Sequence, residues 1–267
     1  MQNIKRVFPS VFLLGLVILL HPLLLKSGST ISIKSLIPEN LEIFLLIGQS
    51  NMAGRAEIQN QDCDTLENVF LFIGINEQAW EKASNPLNKY SSVRKELSMQ
   101  KLGPGYTFAK KISQKMQGKR IGLIVNARGG TSIDEWLPGK ELYKEAISRT
   151  NMALKNGSLK GVIWLQGESD MDQIDAYPEK LSVLVNGIRD VFDIKDLPFV
   201  AAQLSEDKPE RKAFNQMLLR LPEKITQMAV VQSDSTKTFD GTHYDSRSQR
   251  IIGERFADET FKLMTAQ

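Results

Sequence analysis

Short apolar runs recur along this chain, and most are separated by stretches with helical spacing. That alternation constrains the fold more than any other feature. Residues 42–47 (EIFLLI) form an unbroken run ending at Gly48. The runs at 68–73 (NVFLFI), 120–126 (RIGLIVN), 161–165 (GVIWL) and 198–203 (PFVAAQ) share its character, and 228–232 is a further candidate. Amphipathic segments lie near 104–117, 140–155, 175–192 and 208–221, and Ile252, Phe256 and Leu263 share one helical face near the C-terminus. Apolar runs without polar alternation suit strands buried on both faces. Strands separated by helices require crossover connections. The expected fold is therefore α/β, with a mainly parallel five-stranded sheet covered by helices on both sides. Residues 74–103 contain Asn85-Pro86, many polar side chains and no clear period, so they are expected to form a long surface loop.

Composition narrows the class. The 267 residues are 42% hydrophobic and 24% charged, which supplies a sizeable core and excludes disorder, collagen and coiled coil as the main architecture. A single cysteine, Cys63, excludes an intramolecular disulfide framework and a Cys-rich zinc site. Two histidines, His21 and His243, leave little for a multi-His metal centre. The net charge of +3 comes from the N-terminus, where residues 1–29 hold Lys5, Arg6 and Lys26 and no acid. The remainder is balanced and gives no electrostatic reason to expect a nucleic-acid partner.

That N-terminal stretch has the build of a targeting segment. Lys5 and Arg6 precede an apolar run from Val11 to Leu20, and the small residues Ser27, Gly28 and Ser29 follow. Residues 1–29 are expected to act as a cleaved export signal or, uncleaved, as a membrane anchor, although His21-Pro22 interrupts the span. Residues 30–267 would then form one domain outside the cytoplasm. No cysteine stands near the end of the segment to carry a lipid. His21 belongs to this segment, which leaves His243 as the single candidate base.

In an open parallel sheet, ligands bind beyond the carboxyl ends of the strands. After the first run come Gln49-Ser50-Asn51-Met52, and after 120–126 come Ala127-Arg128-Gly129-Gly130-Thr131. After 161–165 come Gln166-Gly167-Glu168-Ser169-Asp170, and late in the chain come Asp240-Gly241-Thr242-His243. Their ordered placement puts a hydroxyl, a glycine pair, an amide and an Asp/His pair on one rim. A serine hydroxyl is a poor nucleophile until a base takes its proton, and His243 is the base of suitable type for Ser50. Asp240, three residues earlier, can fix the imidazole tautomer. The N–H groups of Ser50 and Gly129 and the amide of Gln166 are the expected donors to an oxyanion. Taken singly, each residue has a plainer explanation. Ser50 could cap a helix, Gly129-Gly130 and Asp240-Gly241 could form turns, and Gln166 could satisfy backbone groups. Glu168 and Asp170 could be solvated acids, metal ligands or a paired-carboxylate centre.

GQSNMAGR at 48–55, ARGGTSIDEW at 127–136, WLQGESD at 164–170 and DGTHYD at 240–245 together resemble the blocks of the SGNH hydrolase superfamily. The similarity is to its sialate O-acetylesterase-like group, which includes carbohydrate esterase family 6, and it spans about residues 40–264. It implies a flavodoxin-like three-layer α/β/α sandwich, removal of acetyl groups from a carbohydrate, and no metal or organic cofactor. Ser50, Asp240 and His243 match the catalytic positions, and Gln166 matches the residue this group carries in its third block. Asn51, Arg55, Arg128 and Glu168 are expected to support the site or face the substrate. Met52 stands where the elbow of an ordinary α/β-hydrolase, G-x-S-x-G, has its last glycine, so that fold is rejected.

Three other classes compete. A non-catalytic carbohydrate-binding surface protein could use Trp80, Trp136 or Trp164 for stacking, with Trp164 expected in the core and Trp136 as the better cleft wall. A nucleotide-binding protein would need a phosphate loop that the chain lacks. A metallohydrolase built on His243 with Asp240, Asp245, Glu168 or Asp170 would be short of nitrogen ligands. The expected partner is thus an acetylated carbohydrate, with membrane contact only through an uncleaved N-terminal segment.

Overall fold

The first strand, β1 (Leu41–Gly48), explains the rest of the architecture. Its side chains alternate between two apolar layers, as a pleated strand requires. Ile43, Leu45 and Ile47 enter one core, and Phe44 and Leu46 enter the other. A strand buried this way must lie in the middle of a sheet, and β1 pairs in parallel with a neighbour on each side. The structure, a computed structural model, describes residues 38–74 and 80–266. The segment read as an export signal or anchor, residues 1–29, lies outside the described residues.

Among the described residues, seven strands form one sheet. The others are β2 (Val69–Phe72), β3 (Trp80–Lys82), β4 (Arg120–Ala127), β5 (Gly157–Leu165), β6 (Phe199–Ala202) and β7 (Met228–Val231). Their order is β3-β2-β4-β1-β5-β6-β7, and every pairing is parallel except β2 with β3. Helices α1 (Ser50–Ala53), α2 (Gly105–Lys115), α3 (Glu141–Ala153), α4 (Tyr177–Phe192), α5 (Arg211–Leu219) and α6 (Ser246–Thr265) complete the chain. Leu181, Ile188 and Phe214 from α4 and α5 close the first core. Phe108, Ile112, Ile252 and Phe256 from α2 and α6 close the second. The α/β class, the three layers and the mainly parallel sheet are as expected.

The strand count is corrected from five to seven. The candidate run at 228–232 is a true strand, β7. The other addition, β3, lies inside the stretch expected to be a surface loop. Its three residues show no period, and what fixes them is aromatic packing. Trp80 meets Phe72 edge-on with ring centroids 5.0 Å apart, and a side chain at Gly122 would strike the Trp80 ring. Within the described part of that stretch, residues 83–93 are not all free surface either. Leu87 and Asn88 are buried, and the Asn88 side chain donates to Ala127 O and accepts from Ala127 N–H, each at 3.0 Å. The loop is thereby pinned to the end of β4.

The carboxyl ends of β1, β4 and β5 are drawn tightly together. Gln49 N–H donates to Leu165 O at 2.9 Å and Arg128 N–H donates to Gly48 O at 3.0 Å. Gly48 makes this approach possible. Its φ of +137° suits glycine, and a Cβ there would lie 2.2 Å from Leu165 O.

Candidate active site

Ser50 is the first residue of α1, immediately after the β1 turn, and it is 6% exposed. Its Oγ lies 3.0 Å from His243 Nε2. His243 Nδ1 lies 2.6 Å from Asp240 Oδ2. The second carboxylate oxygen, Oδ1, accepts the backbone N–H groups of His243 at 2.7 Å and Thr242 at 2.9 Å. The three-residue spacing thus lets one carboxylate fold the turn and orient the ring together. Desolvation would raise the Asp240 pKa, but the hydrogen bonds from the His243 ring and from the two amides outweigh it and hold the carboxyl at about 2. An ionised carboxylate at Nδ1 selects the tautomer with its proton there, leaving the Nε2 lone pair toward Ser50.

Asn51 ties this turn to the nucleophile helix. Its Nδ2 donates to Glu168 Oε1 at 2.6 Å and to Thr242 O at 3.1 Å. Its Oδ1 accepts Tyr244 N–H at 2.9 Å. Glu168 is enclosed here, and burial pushes its pKa up against the hydrogen bonds that oppose the shift. Two residues that the sequence reading missed complete the clamp. Arg211, buried at the start of α5, donates through Nη2 to Gly241 O at 2.9 Å, and the Tyr244 hydroxyl donates to Gln203 O at 2.9 Å. Arg211 stands in an amphipathic segment like any solvated arginine, so no local signal marks it. Tyr244 follows His243 directly, and its burial was the part not legible.

Gly129 lies against the serine. A Cβ on it would be 3.3 Å from Ser50 Cβ and 2.7 Å from Arg55 Nη2, so a side chain would crowd the nucleophile. The Ser50 N–H opens α1 and has no acceptor within the helix. Gln166 departs from expectation. Its Nε2 donates to Thr131 O at 2.8 Å and to Asp170 Oδ2, and its Oε1 accepts from the Tyr177 hydroxyl at 3.0 Å. Both amide hydrogens are spent, so Gln166 is not free to serve as a third oxyanion donor. It props the turn that carries Gly129.

The remaining candidates divide. Arg55 Nη1 donates to Gly54 O at 2.7 Å and Met99 O at 3.1 Å, and burial lowers its pKa. It therefore borders the site beside Gly129. Arg128 is turned to Val93 O at 2.9 Å and holds the neighbouring loop. Asp170 is not a solvated acid: it is buried and accepts Ile133 N–H at 3.0 Å. Among the described residues, no group of three His, Cys, Asp or Glu is arranged to hold a metal ion. Trp136 is not a cleft wall, because it is fully buried edge-on to Trp164 and donates to Thr131 Oγ1 at 3.0 Å. The exposed aromatic beside the site is Phe239, stacked on His243. No helix among the described residues is long and apolar enough to cross a membrane.

Residues 40–262 match the family model described as carbohydrate esterase, sialic acid-specific acetylesterase. A probable carbohydrate esterase of Arabidopsis thaliana is 31% identical over 193 residues, covering 65% of this chain and 72% of the relative. An X-ray structure of an Arabidopsis thaliana protein superposes with a TM-score of 0.75 at 26% identity, over 84% of this chain and 99% of that one. A carbohydrate acetylesterase from Xanthomonas citri (TM-score 0.64, 19% identity, 85% of this chain and 57% of that one) shares the fold. So does a family 3 carbohydrate esterase from Clostridium thermocellum (TM-score 0.54, 12% identity, 85% and 98%).

Proposed function

Because the chain belongs to the carbohydrate esterase, sialic acid-specific acetylesterase family, we propose that it removes O-acetyl groups from a carbohydrate through an acetyl-serine intermediate on Ser50. One observation carries this reading: Ser50 Oγ, His243 and Asp240 form a continuous hydrogen-bonded line of 3.0 Å and 2.6 Å. Those are the distances a nucleophile, its base and the orienting acid need.

Ser50 Oγ attacks the acetyl carbonyl carbon while its proton passes to His243 Nε2. The carbonyl π electrons move onto oxygen, where the N–H groups of Ser50 and Gly129 stabilise the charge. Asp240 stabilises the imidazolium without taking its proton. The tetrahedral centre collapses, the bond to the sugar oxygen breaks, and His243 returns its proton to that oxygen. A water molecule then gives a proton to His243 and attacks the acetyl-serine. The second tetrahedral centre collapses, the bond to Ser50 Oγ breaks, His243 returns its proton to that oxygen, and acetic acid leaves. Asn51, Glu168 and Arg211 hold the histidine turn in place throughout. Residues 1–29 would deliver the enzyme outside the cytoplasm, which fractionation of the native host would test.

The test is acetate release by the full chain from a panel of acetylated sugars. The reading expects release from at least one of them. A folded protein that releases none, yet binds the sugars, would be the carbohydrate-binding protein considered above.

A further inference from the structure

The mechanism leaves Phe239 unused, yet its side chain is 57% exposed at the edge of the site. The ring lies nearly parallel to the His243 imidazole, with centroids 6.0 Å apart and planes at 26°. Its backbone is held at two neighbouring points. Phe239 N–H donates to His243 O at 3.0 Å, and Thr238 N–H donates to Asp207 Oδ2 at 2.7 Å. These bonds anchor the loop that carries the ring before any ligand arrives, which lowers the cost of binding.

Phe239 lines a cleft of about 470 Å³ with Arg55, Lys101 and Arg247. That volume falls within the range of small-molecule sites. Two residues of the cleft's lining stand next to the reacting groups: Phe239 stacks on the His243 ring, and Arg55 abuts Gly129 beside Ser50. One side is aromatic, and the rest of the lining supplies guanidinium and ammonium donors from Arg55, Lys101, Arg247 and Arg250 beside the carboxyl groups of Glu57 and Asp245. A pyranose has matching surfaces: an apolar face of C–H groups that lies flat on an aromatic ring, and a rim of hydroxyls that accept hydrogen bonds. The tryptophans do not offer this at the rim. Trp136 and Trp164 are fully buried, and Trp80 donates to Asn156 at 3.0 Å, next to the opposite end of β5.

We propose that this cleft is the subsite for the pyranose ring bearing the acetyl ester, with Phe239 as its stacking platform. The inference rests on the esterase reading and assigns the leaving sugar its place. Phe239 then sets specificity: an ester with a ring gains from it, and an ester without one does not.

The experiment compares two substrates, an acetylated methyl pyranoside and ethyl acetate, which has no ring to stack. For Phe239→Ala, the ratio of kcat/KM on the sugar ester to that on ethyl acetate should fall roughly tenfold, mainly through KM. Phe239→Trp should restore it. An unchanged ratio, with both substrates slowed equally, would mean the ring acts only by supporting His243 and would overturn the proposal. Neutral and uronic-acid pyranosides form separate arms, since both share the ring chemistry. A binding measurement separates the subsite from the activity. With Ser50→Ala protein, saturation transfer to the ring protons of the methyl pyranoside should be seen, and adding Phe239→Ala should abolish it. If wild type hydrolyses neither ester while this transfer depends on Phe239, the esterase reading fails and the subsite stands. Transfer that is absent, or indifferent to Phe239, overturns the subsite.

Discussion

Replacing Asp240 with Asn removes one negative charge and almost nothing else. The asparagine Oδ1 can still accept the amides of His243 and Thr242, which the carboxylate accepts at 2.7 Å and 2.9 Å, so the turn keeps its shape. The atom facing His243 Nδ1 changes from an acceptor to a donor. The imidazole must then place its proton on Nε2, pointing at Ser50 Oγ, and no base faces the nucleophile. Loss of the tautomer and of imidazolium stabilisation in a site of this type costs about 10³–10⁴-fold in kcat. KM on a small acetate ester should change little. Stability should change little as well. The Asp240 carboxyl is held at about 2, so it favours the fold above its unfolded value near 4, and that contribution fades as pH falls toward 2. Its side chain is 40% exposed, so solvent screening limits the effect to about 1 kcal/mol or less. Steady-state kinetics at neutral pH, beside thermal melts between pH 2 and pH 7, measure both quantities. An Asp240→Asn enzyme that keeps more than about a tenth of wild-type kcat would refute the role given to this carboxylate.

Gly129→Ala should lower kcat by about 10–100-fold with a small shift in Tm, because its Cβ would press on Ser50 and Arg55 and move a donor off the oxyanion; steady-state rates and melts read it. Glu168→Gln should raise Tm at neutral pH. Burial raises the pKa of this acid, so the wild type loses stability as pH rises past the unfolded value near 4, and the gain from Gln should vanish below that pH. Gln166→Ala should lower Tm by at least about 4 °C, since it strips partners from buried Asp170 and Tyr177; an unshifted melt with lost activity would return Gln166 to the oxyanion hole.

The central strands were legible because burial on both faces writes itself as uninterrupted apolar sequence, as in EIFLLI at 42–47. The rim was legible for a related reason: parallel strands carry their functional residues at the same end, so Ser50 and Gly129 were placed by order, His243 as the single remaining histidine, and the family resemblance matched Ser50 and His243 to catalytic positions. What escaped the reading depends on contacts distant in sequence. The edge strand β3 owes its place to Trp80 against Phe72, which no local period encodes. Arg211 reaches Gly241 across 30 positions. Gln166 was read as an oxyanion donor because it follows β5, but position along a strand does not reveal which acceptors its amide meets. Trp136 was read as a cleft wall for the same reason: it stands near site residues, and only packing sends it into the core, while Phe239, to which the sequence assigned no role, is left exposed.

The most direct test of the account is the fate of the acetyl group during turnover of an activated aryl acetate. The reaction is quenched in acid and the protein is digested and weighed, with Ser50→Ala run alongside. The account predicts one acetyl group on the peptide containing Ser50, formed at a rate that supports turnover, and a loss of at least about 1000-fold in the Ala variant. Acetate release that survives Ser50→Ala would contradict it.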